Sequence, residues 1–178
     1  MAKKLKKKIK VGILGGTFDP PHIGHLYISK FALKKLKLNK VIWIVTKKNP
    51  LKKKPYLKLK MRINLARKIT AKEKKIYVKY YDDKIKSNNT YKLLKYIKKR
   101  NKKIKLFFII GADNLIKFHK WNNWKEIPKL AKLAVFPRQN YYITSSKSPS
   151  YKKLNKKDLI YMKSKKINIS SSLIRKFW

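Results

Sequence analysis

The chain has 178 residues, with 51 Lys and Arg against 7 Asp and Glu for a formal net charge of +44, and 43% hydrophobic residues. That hydrophobic share excludes wholesale disorder, and the length suits one compact domain. With no cysteine, disulfides, thiolate zinc sites and a cysteine nucleophile are excluded, and the cytoplasm is the natural compartment. In chain order, Ile9 to Leu14 is a short apolar run ending in Gly15-Gly16, which predicts a strand followed by a turn. The run is too short to be the core of a signal peptide behind the basic start, and nowhere does an apolar run approach the roughly 18 residues of a membrane helix.

Ile23 to Leu38 carries Ile28, Ala32 and Leu36 at helical spacing, and Val41 to Val45 is a β-branched and aromatic run suited to a buried strand. Leu59 to Thr70 repeats apolar residues at a helix period. Ile76 to Tyr81 reads as a strand, and Thr90 to Lys99 as a helix preceded by the capping candidates Asn88 and Asn89. Leu106 to Ile110, bounded by Gly111, suits a central strand buried on both faces. Short helices through Trp121 to Pro128, a strand at Leu133 to Phe136 and a polar loop from Gln139 to Ser150 follow. The reading closes with a strand at Leu159 to Met162 and a last helix opened by Ser170 to Ser172. Strands alternating with helices predict an α/β fold with a Rossmann-like, doubly wound parallel sheet, whose ligands sit beyond the carboxyl ends of the strands.

The positive charge has two readings. Clustered Lys and Arg release counterions from nucleic acid and bind it without sequence preference. However, the lysines run evenly along the chain, 46 of the 51 basic residues are Lys and only five are Arg (62, 67, 100, 138 and 175), and residues with A/T-rich codons abound. Compositional drift is the reading that fits, with nucleic acid bound non-specifically if at all.

The informative residues are the rare ones. Average usage would put about 12 glycines in a chain of this length; there are five, and Gly12, Gly15, Gly16 and Gly24 lie within thirteen positions, with Gly111 as the fifth. A sequence that avoids glycine keeps it where a side chain would obstruct backbone geometry or an approaching ligand. Two of the three histidines, His22 and His25, stand three apart at a predicted helix start, so they share a face beside unpaired N–H groups. That is the composition of a phosphate site. Ser170, Ser171 and Ser172, with Arg175 one turn on, form a second anion cradle of the same kind.

The run Gly15-Gly16-Thr17-Phe18-Asp19-Pro20-Pro21-His22-Ile23-Gly24-His25-Leu26 resembles the signature of nucleotidyltransferases with a His-x-Gly-His motif, and in detail that of the nicotinate-nucleotide adenylyltransferase family. The likeness extends over the chain. Phe108 to Leu115, with Trp121 following, is similar to that family's Gly-x-Asp loop and its aromatic residue beside the pyridine ring. Ile169 to Arg175 is similar to its Ile-Ser-Ser-Thr-x-Ile-Arg motif, with Ser172 in place of Thr.

The resemblance implies a single nucleotidyltransferase domain over 1–178, its core at about 9–137 and a phosphate-binding helix at about 170–178. It implies transfer of AMP from ATP to nicotinate mononucleotide, with Mg²⁺ carried on ATP oxygens and water rather than on protein side chains. His22 and His25 are the implied catalytic residues. ATP is implied to meet Gly15, Gly16, Thr17, Phe18, His22, His25, Gly111, Asp113, Ser170, Ser171, Ser172 and Arg175. Nicotinate mononucleotide is implied to meet Thr90, Trp121, Arg138 and Lys52. The chain departs from the family at Asn88, where a Ser is usual, at Leu93, where a Thr is usual, and after Arg138, where Pro-Gly is missing. Two other readings stand beside this one: an adenylyltransferase of the phosphopantetheine type, whose first motif position is typically Thr where this chain has His22, and a basic nucleic-acid binder on the same fold.

Overall fold

The computed structural model of the chain describes residues 8–51, 53–137, 141–164 and 169–177, with Tyr142 described in its backbone alone. Six strands, β1 (Ile9–Gly16), β2 (Lys40–Val45), β3 (Ile76–Lys79), β4 (Ile104–Gly111), β5 (Ala131–Phe136) and β6 (Leu159–Tyr161), form one parallel sheet in the order β3-β2-β1-β4-β5-β6. The helices are α1 (Ile23–Lys35), α2 (Leu59–Thr70), α3 (Asp82–Ile85), α4 (Thr90–Arg100), α5 (Ala112–Ile116), α6 (Ile127–Leu130), α7 (Tyr142–Ser146), α8 (Pro149–Lys153) and α9 (Ser171–Ile174).

Alternation along the strands divides the core in two. Leu106, Phe108 and Ile110 of β4 join Val11 and Ile13 of β1 on one face, under Leu93 and Leu94 of α4 and Ala112 and Leu115 of α5. Phe107 and Ile109 join Leu14, Val41 and Trp43 on the other, under Ala32 of α1 and Ala66 of α2. Both faces are covered, which is why β4 reads as an unbroken apolar run. Gly12 lies on the second face, where a methyl would meet Leu38 Cδ1 at 2.8 Å and Val41 Cγ2 at 3.0 Å, so its absence of side chain sets how closely the chain packs there.

Most elements fall where the periodicity puts them, with four corrections. First, β1 does not turn at Gly15: it continues through Gly16, with Gly15 and Gly16 in register with Ile44 and Val45 of β2. Second, the strand expected to reach Tyr81 ends at Lys79. Its successor α3 begins at Asp82, whose Oδ2 accepts hydrogen bonds from Thr46 Oγ1 (2.6 Å) and Lys47 N (2.8 Å). Third, the expected polar loop of 139–150 holds α7 and the start of α8: Ser148 caps α8 through Tyr151 N, Pro149 takes its first position, and Ser145 and Ser150 are buried. Residues 139 and 140 lie outside the described residues. Fourth, Trp121 itself closes a 3-10 turn over Phe118–Lys120 rather than opening a helix.

The direction of winding reverses between β1 and β4. Helices and loops that follow these two strands diverge, and the crevice opens at their carboxyl ends. Gly16 and Gly111 are the last residues of the two strands that form it.

Candidate active site

The turn from β1 into α1 carries the first part of the site. His22 is the N-cap of α1 and is 7% exposed. Its Nδ1 accepts from Gly24 N at 3.1 Å, while His22 N donates to Nδ1 of His25 at 3.2 Å, a capping box made by two imidazoles. A ring nitrogen that accepts an amide proton carries none of its own, so this geometry puts the proton of each neutral ring on Nε2. The two rings lie tilted against each other at 3.8 Å between centroids, and Phe18 lies against His25 at 4.8 Å and stacks on Trp43 at 5.0 Å. Phe18 takes a φ of 49°, a left-handed backbone that an aromatic residue rarely adopts, and it is held there by burial. Beneath it, Trp43 Nε1 donates to Ser29 Oγ, which in turn donates to the His25 carbonyl.

Gly24 is needed for this arrangement. A methyl at Gly24 would meet His22 Nδ1 at 2.8 Å and Ile169 Cγ2 at 2.8 Å. Gly15 and Gly16 differ: a methyl would find ordinary contacts at 3.6 Å and 3.7 Å, and no described glycine has a positive φ. Backbone conformation is therefore not what Gly15 and Gly16 supply. They leave open the floor of the cleft they line.

The C-terminal motif closes onto the same turn. Ser170 caps α9 through Leu173 N, Ser171 Oγ donates to the Pro20 carbonyl at 2.8 Å, and Arg175 donates to the Asp19 carbonyl. Arg175 also reaches Ser172 Oγ at 3.3 Å and lies over the Tyr56 ring at 5.2 Å. Asp19, 4% exposed, accepts Tyr56 N and Leu57 N at 2.9 Å each, one on each carboxylate oxygen.

The cleft has two lobes. The larger, about 1830 Å³ with its open mouth, is lined by Gly15, Gly16, Thr17, Phe18, His22, His25, Gly111, Asp113, Ser170, Ser171, Ser172 and Arg175, together with the hydrophobic residues Ile28, Phe136 and Pro137. Thus every residue expected at ATP lines one space. The smaller, about 830 Å³, lies over β2, β4 and the start of α4, and is lined by Thr90, Asn88, Asn89, Leu93, Lys48 and Lys120 among others. Gly15, Gly16, Asn49 and Trp121 line both. Trp121 is wedged edge-on against Phe108 (6.0 Å) and tilted against Phe118 (5.3 Å), so an expected pyridine-side residue sits at the boundary of the lobes. Thr90 opens α4, whose cap Asn89 accepts Tyr91 N and Lys92 N. Asn88, in the place of the usual Ser, spends its amide on the Lys48 carbonyl at 3.1 Å. Lys52 and Arg138 lie outside the described residues.

Sequence reasoning missed Arg62. It is 2% exposed and donates from Nε to the Leu57 carbonyl, from Nη1 to the Thr17 and Thr46 carbonyls, and from Nη2 to the Lys47 carbonyl. Burial draws its pKa below the usual guanidinium value, partly offset by the nearby Asp19 and Asp82 carboxylates. The available signal was the scarcity of Arg in a Lys-rich chain, a partial one because Arg67 and Arg100 are exposed.

A histidine-capped turn at the switch point of a parallel sheet ordered 3-2-1-4-5-6 is the arrangement of the nucleotidyltransferases, and the profile of the cytidylyltransferase-like family matches residues 13–177. A protein of Pelagibacter ubique named as a probable nicotinate-nucleotide adenylyltransferase is 52% identical over 171 residues, 96% of this chain and 94% of its own length. One of the same name from Ruegeria is 37% identical over 72% of this chain and 67% of its own. The fold matches that of Plasmodium falciparum nicotinic acid mononucleotide adenylyltransferase complexed with NaAD, with a TM-score of 0.73 at 20% identity over 95% of this chain and 83% of that one. The chain belongs to the nicotinate-nucleotide adenylyltransferase family.

Proposed function

We infer that the chain transfers the adenylyl group of ATP to nicotinate mononucleotide, giving deamido-NAD and pyrophosphate in NAD biosynthesis. The observation that carries this reading is the pair of lobes meeting over Gly15 and Gly16, whose lack of side chains leaves the shared floor open to two phosphorylated substrates. ATP takes the larger lobe and the pyridine nucleotide the smaller one. A phosphate oxygen of nicotinate mononucleotide attacks the α-phosphorus of ATP, the bond from that phosphorus to the bridging β-oxygen breaks, and pyrophosphate leaves with the electron pair.

The protein supplies no nucleophile. It positions the two substrates and places donors where negative charge gathers. His22 and His25 serve as the catalytic pair: each Nδ1 is fixed on a backbone amide, which orients the ring, and each Nε2–H is the donor assigned to the phosphate oxygens. Ser171, Ser172 and Arg175 bind the β- and γ-phosphates at the mouth of the larger lobe, and Gly111 and Asp113 flank the nucleotide. Thr90 and Trp121 receive the pyridine nucleotide in the smaller lobe, with Lys52 and Arg138 assigned to it on sequence grounds.

Mg²⁺ comes with ATP, held by its oxygens and water. Among the described residues no three His, Cys, Asp or Glu converge on a metal position, and both oxygens of Asp19 are occupied by amides. We take residues 1–178 to act as one domain in the cytoplasm. No helix among the described residues is long and apolar enough to cross a membrane.

The test is pyrophosphate release from MgATP with three acceptors in parallel. Turnover with nicotinate mononucleotide well above that with nicotinamide mononucleotide or phosphopantetheine is the expected result. Release with phosphopantetheine alone, or with none, refutes the reading.

A further inference from the structure

The two lobes rest on different loops, and nothing in the motifs explains what keeps those loops in register. Thr17 and Asp19, on the β1–α1 loop, line the larger lobe; Thr46 and Asp82 line the smaller. Between them lies Arg62, on the first turn of α2. Four of its five N–H groups are bonded to backbone carbonyls: Thr17 O at 2.5 Å on the larger-lobe side, Thr46 O at 2.8 Å and Lys47 O at 3.0 Å on the smaller-lobe side, and Leu57 O at 3.0 Å below.

The same short segments are gripped a second time by carboxylates. Asp19 accepts the amides of Tyr56 and Leu57, and Asp82 accepts the hydroxyl of Thr46 and the amide of Lys47. Both acids are buried, at 4% and 8% exposure. The 46–47 and 56–57 segments thus give amides to an acid and carbonyls to one shared guanidinium, while the β1–α1 loop supplies the Thr17 carbonyl and the acid Asp19. A planar fork with five fixed donors can hold three loops at once, whereas an ammonium cannot reproduce its geometry.

We propose that Arg62 is a positioning residue for adenylyl transfer, which fixes the larger and smaller substrate lobes relative to each other so that the attacking phosphate faces the α-phosphorus. The proposal rests on the bipartite reading of the cleft given above. Arg62 lines neither lobe. Its effect falls on the alignment of two bound reactants, which controls the chemical step far more than the binding of either reactant by itself. Misplacement by about 1 Å lowers turnover on the order of a hundredfold.

The test uses Arg62→Lys and Arg62→Gln in the full chain, with Arg67→Lys, an exposed arginine on the same helix, as control. The expected result is a kcat about tenfold to a hundredfold lower in both Arg62 variants, while the Kd of ATP and that of nicotinate mononucleotide, each titrated singly, change by less than about threefold. Amide hydrogen exchange gives a readout independent of substrate. The amides of Lys47, Tyr56 and Leu57 should exchange faster together in the Arg62 variants, with β1 and β4 unchanged. Wild-type kcat in both variants, a loss confined to Kd, exchange that rises across the whole sheet, or failure of both variants to fold would each overturn the proposal, the last two by making Arg62 a support of the whole fold. Should the wild-type chain show no turnover with these substrates, the assigned reaction fails, and the exchange pattern alone decides whether Arg62 holds the two loops.

Discussion

Replacing Gly24 by Ala separates folding from catalysis. A methyl at this second position of α1 stands 2.8 Å from His22 Nδ1, 2.9 Å from His22 Cε1 and 2.8 Å from Ile169 Cγ2. Unstrained carbon contacts begin near 3.5 Å, so the His22 ring must retreat by about 0.7 Å. That movement breaks the 3.1 Å bond from Gly24 N and removes a helix cap worth about 0.5–2 kcal/mol. Alanine returns about 1 kcal/mol through its better helix propensity. The two effects nearly cancel, leaving a net change within about 1 kcal/mol, or about 2–4 °C in Tm for a chain of this size. Turnover has no such compensation, because the imidazole assigned to the reacting phosphate is displaced by most of an ångström. The expected kcat loss is on the order of thirtyfold or more. Pyrophosphate release under saturating substrates, beside a thermal melt of the same preparation, measures both quantities. Gly24→Ala with wild-type kcat refutes the placement of His22 at the reacting phosphate.

Other substitutions and conditions test the remaining assignments. Gly15→Ala meets only Phe108, at 3.6 Å and 3.9 Å, so Tm should hold while turnover drops, because the methyl enters the floor shared by both lobes; unchanged turnover removes that floor from the substrate path. His22→Asn retains a good capping residue and His22→Ala does not, so Asn should recover about 1 kcal/mol of stability relative to Ala, with kcat strongly lowered in both. Raising ionic strength from about 0.01 M to about 0.15 M shortens the screening length from about 30 Å to about 8 Å and should raise Tm, since a net charge of +44 repels itself; a flat response contradicts this. Lys47, hydrogen-bonded at 2.5 Å, holds the Asp83 carboxyl below its usual pKa, with Tyr80 adding to the effect. A depressed carboxylate pKa stabilises the fold above the unfolded value near pH 4, and that contribution disappears as pH falls through the folded value. The Tm gap between wild type and Asp83→Asn should therefore narrow as pH is lowered from 6 toward 3, and a constant gap would dissociate the pair from stability.

Much of the site was legible because the residues that build it are ones this composition avoids. Gly15, Gly16, Gly24, His22 and His25 stand out against a Lys-rich background, and all of them line one lobe. The strands were legible because their cores are continuous apolar runs, as at Leu106 to Ile110. What was hidden is polar burial. Arg62, Asp82, Ser145 and Ser150 are buried through hydrogen bonds to partners distant in sequence, and such bonds leave no periodicity. The helices α7 and α8 were hidden for the same reason, since their inward faces carry serine. The role of Arg175 gained a second aspect: expected at phosphate, its guanidinium also secures the Asp19 carbonyl.

The hydrogen bonds around the β1–α1 turn also sort peptide polarity. The carbonyl oxygens of Thr17, Asp19, Pro20, Thr46 and Lys47 all accept donors from Arg62, Arg175 or Ser171. Lone pairs that would repel a polyphosphate are thereby engaged at the root of the cleft. Two guanidiniums thus stand at the root of the cleft, with Lys53 and Lys54 on the wall of its larger lobe. These contacts use backbone carbonyls, two Arg and one Ser, so the turn is held together without any of the 46 lysine side chains, and lysine content can drift without disturbing it.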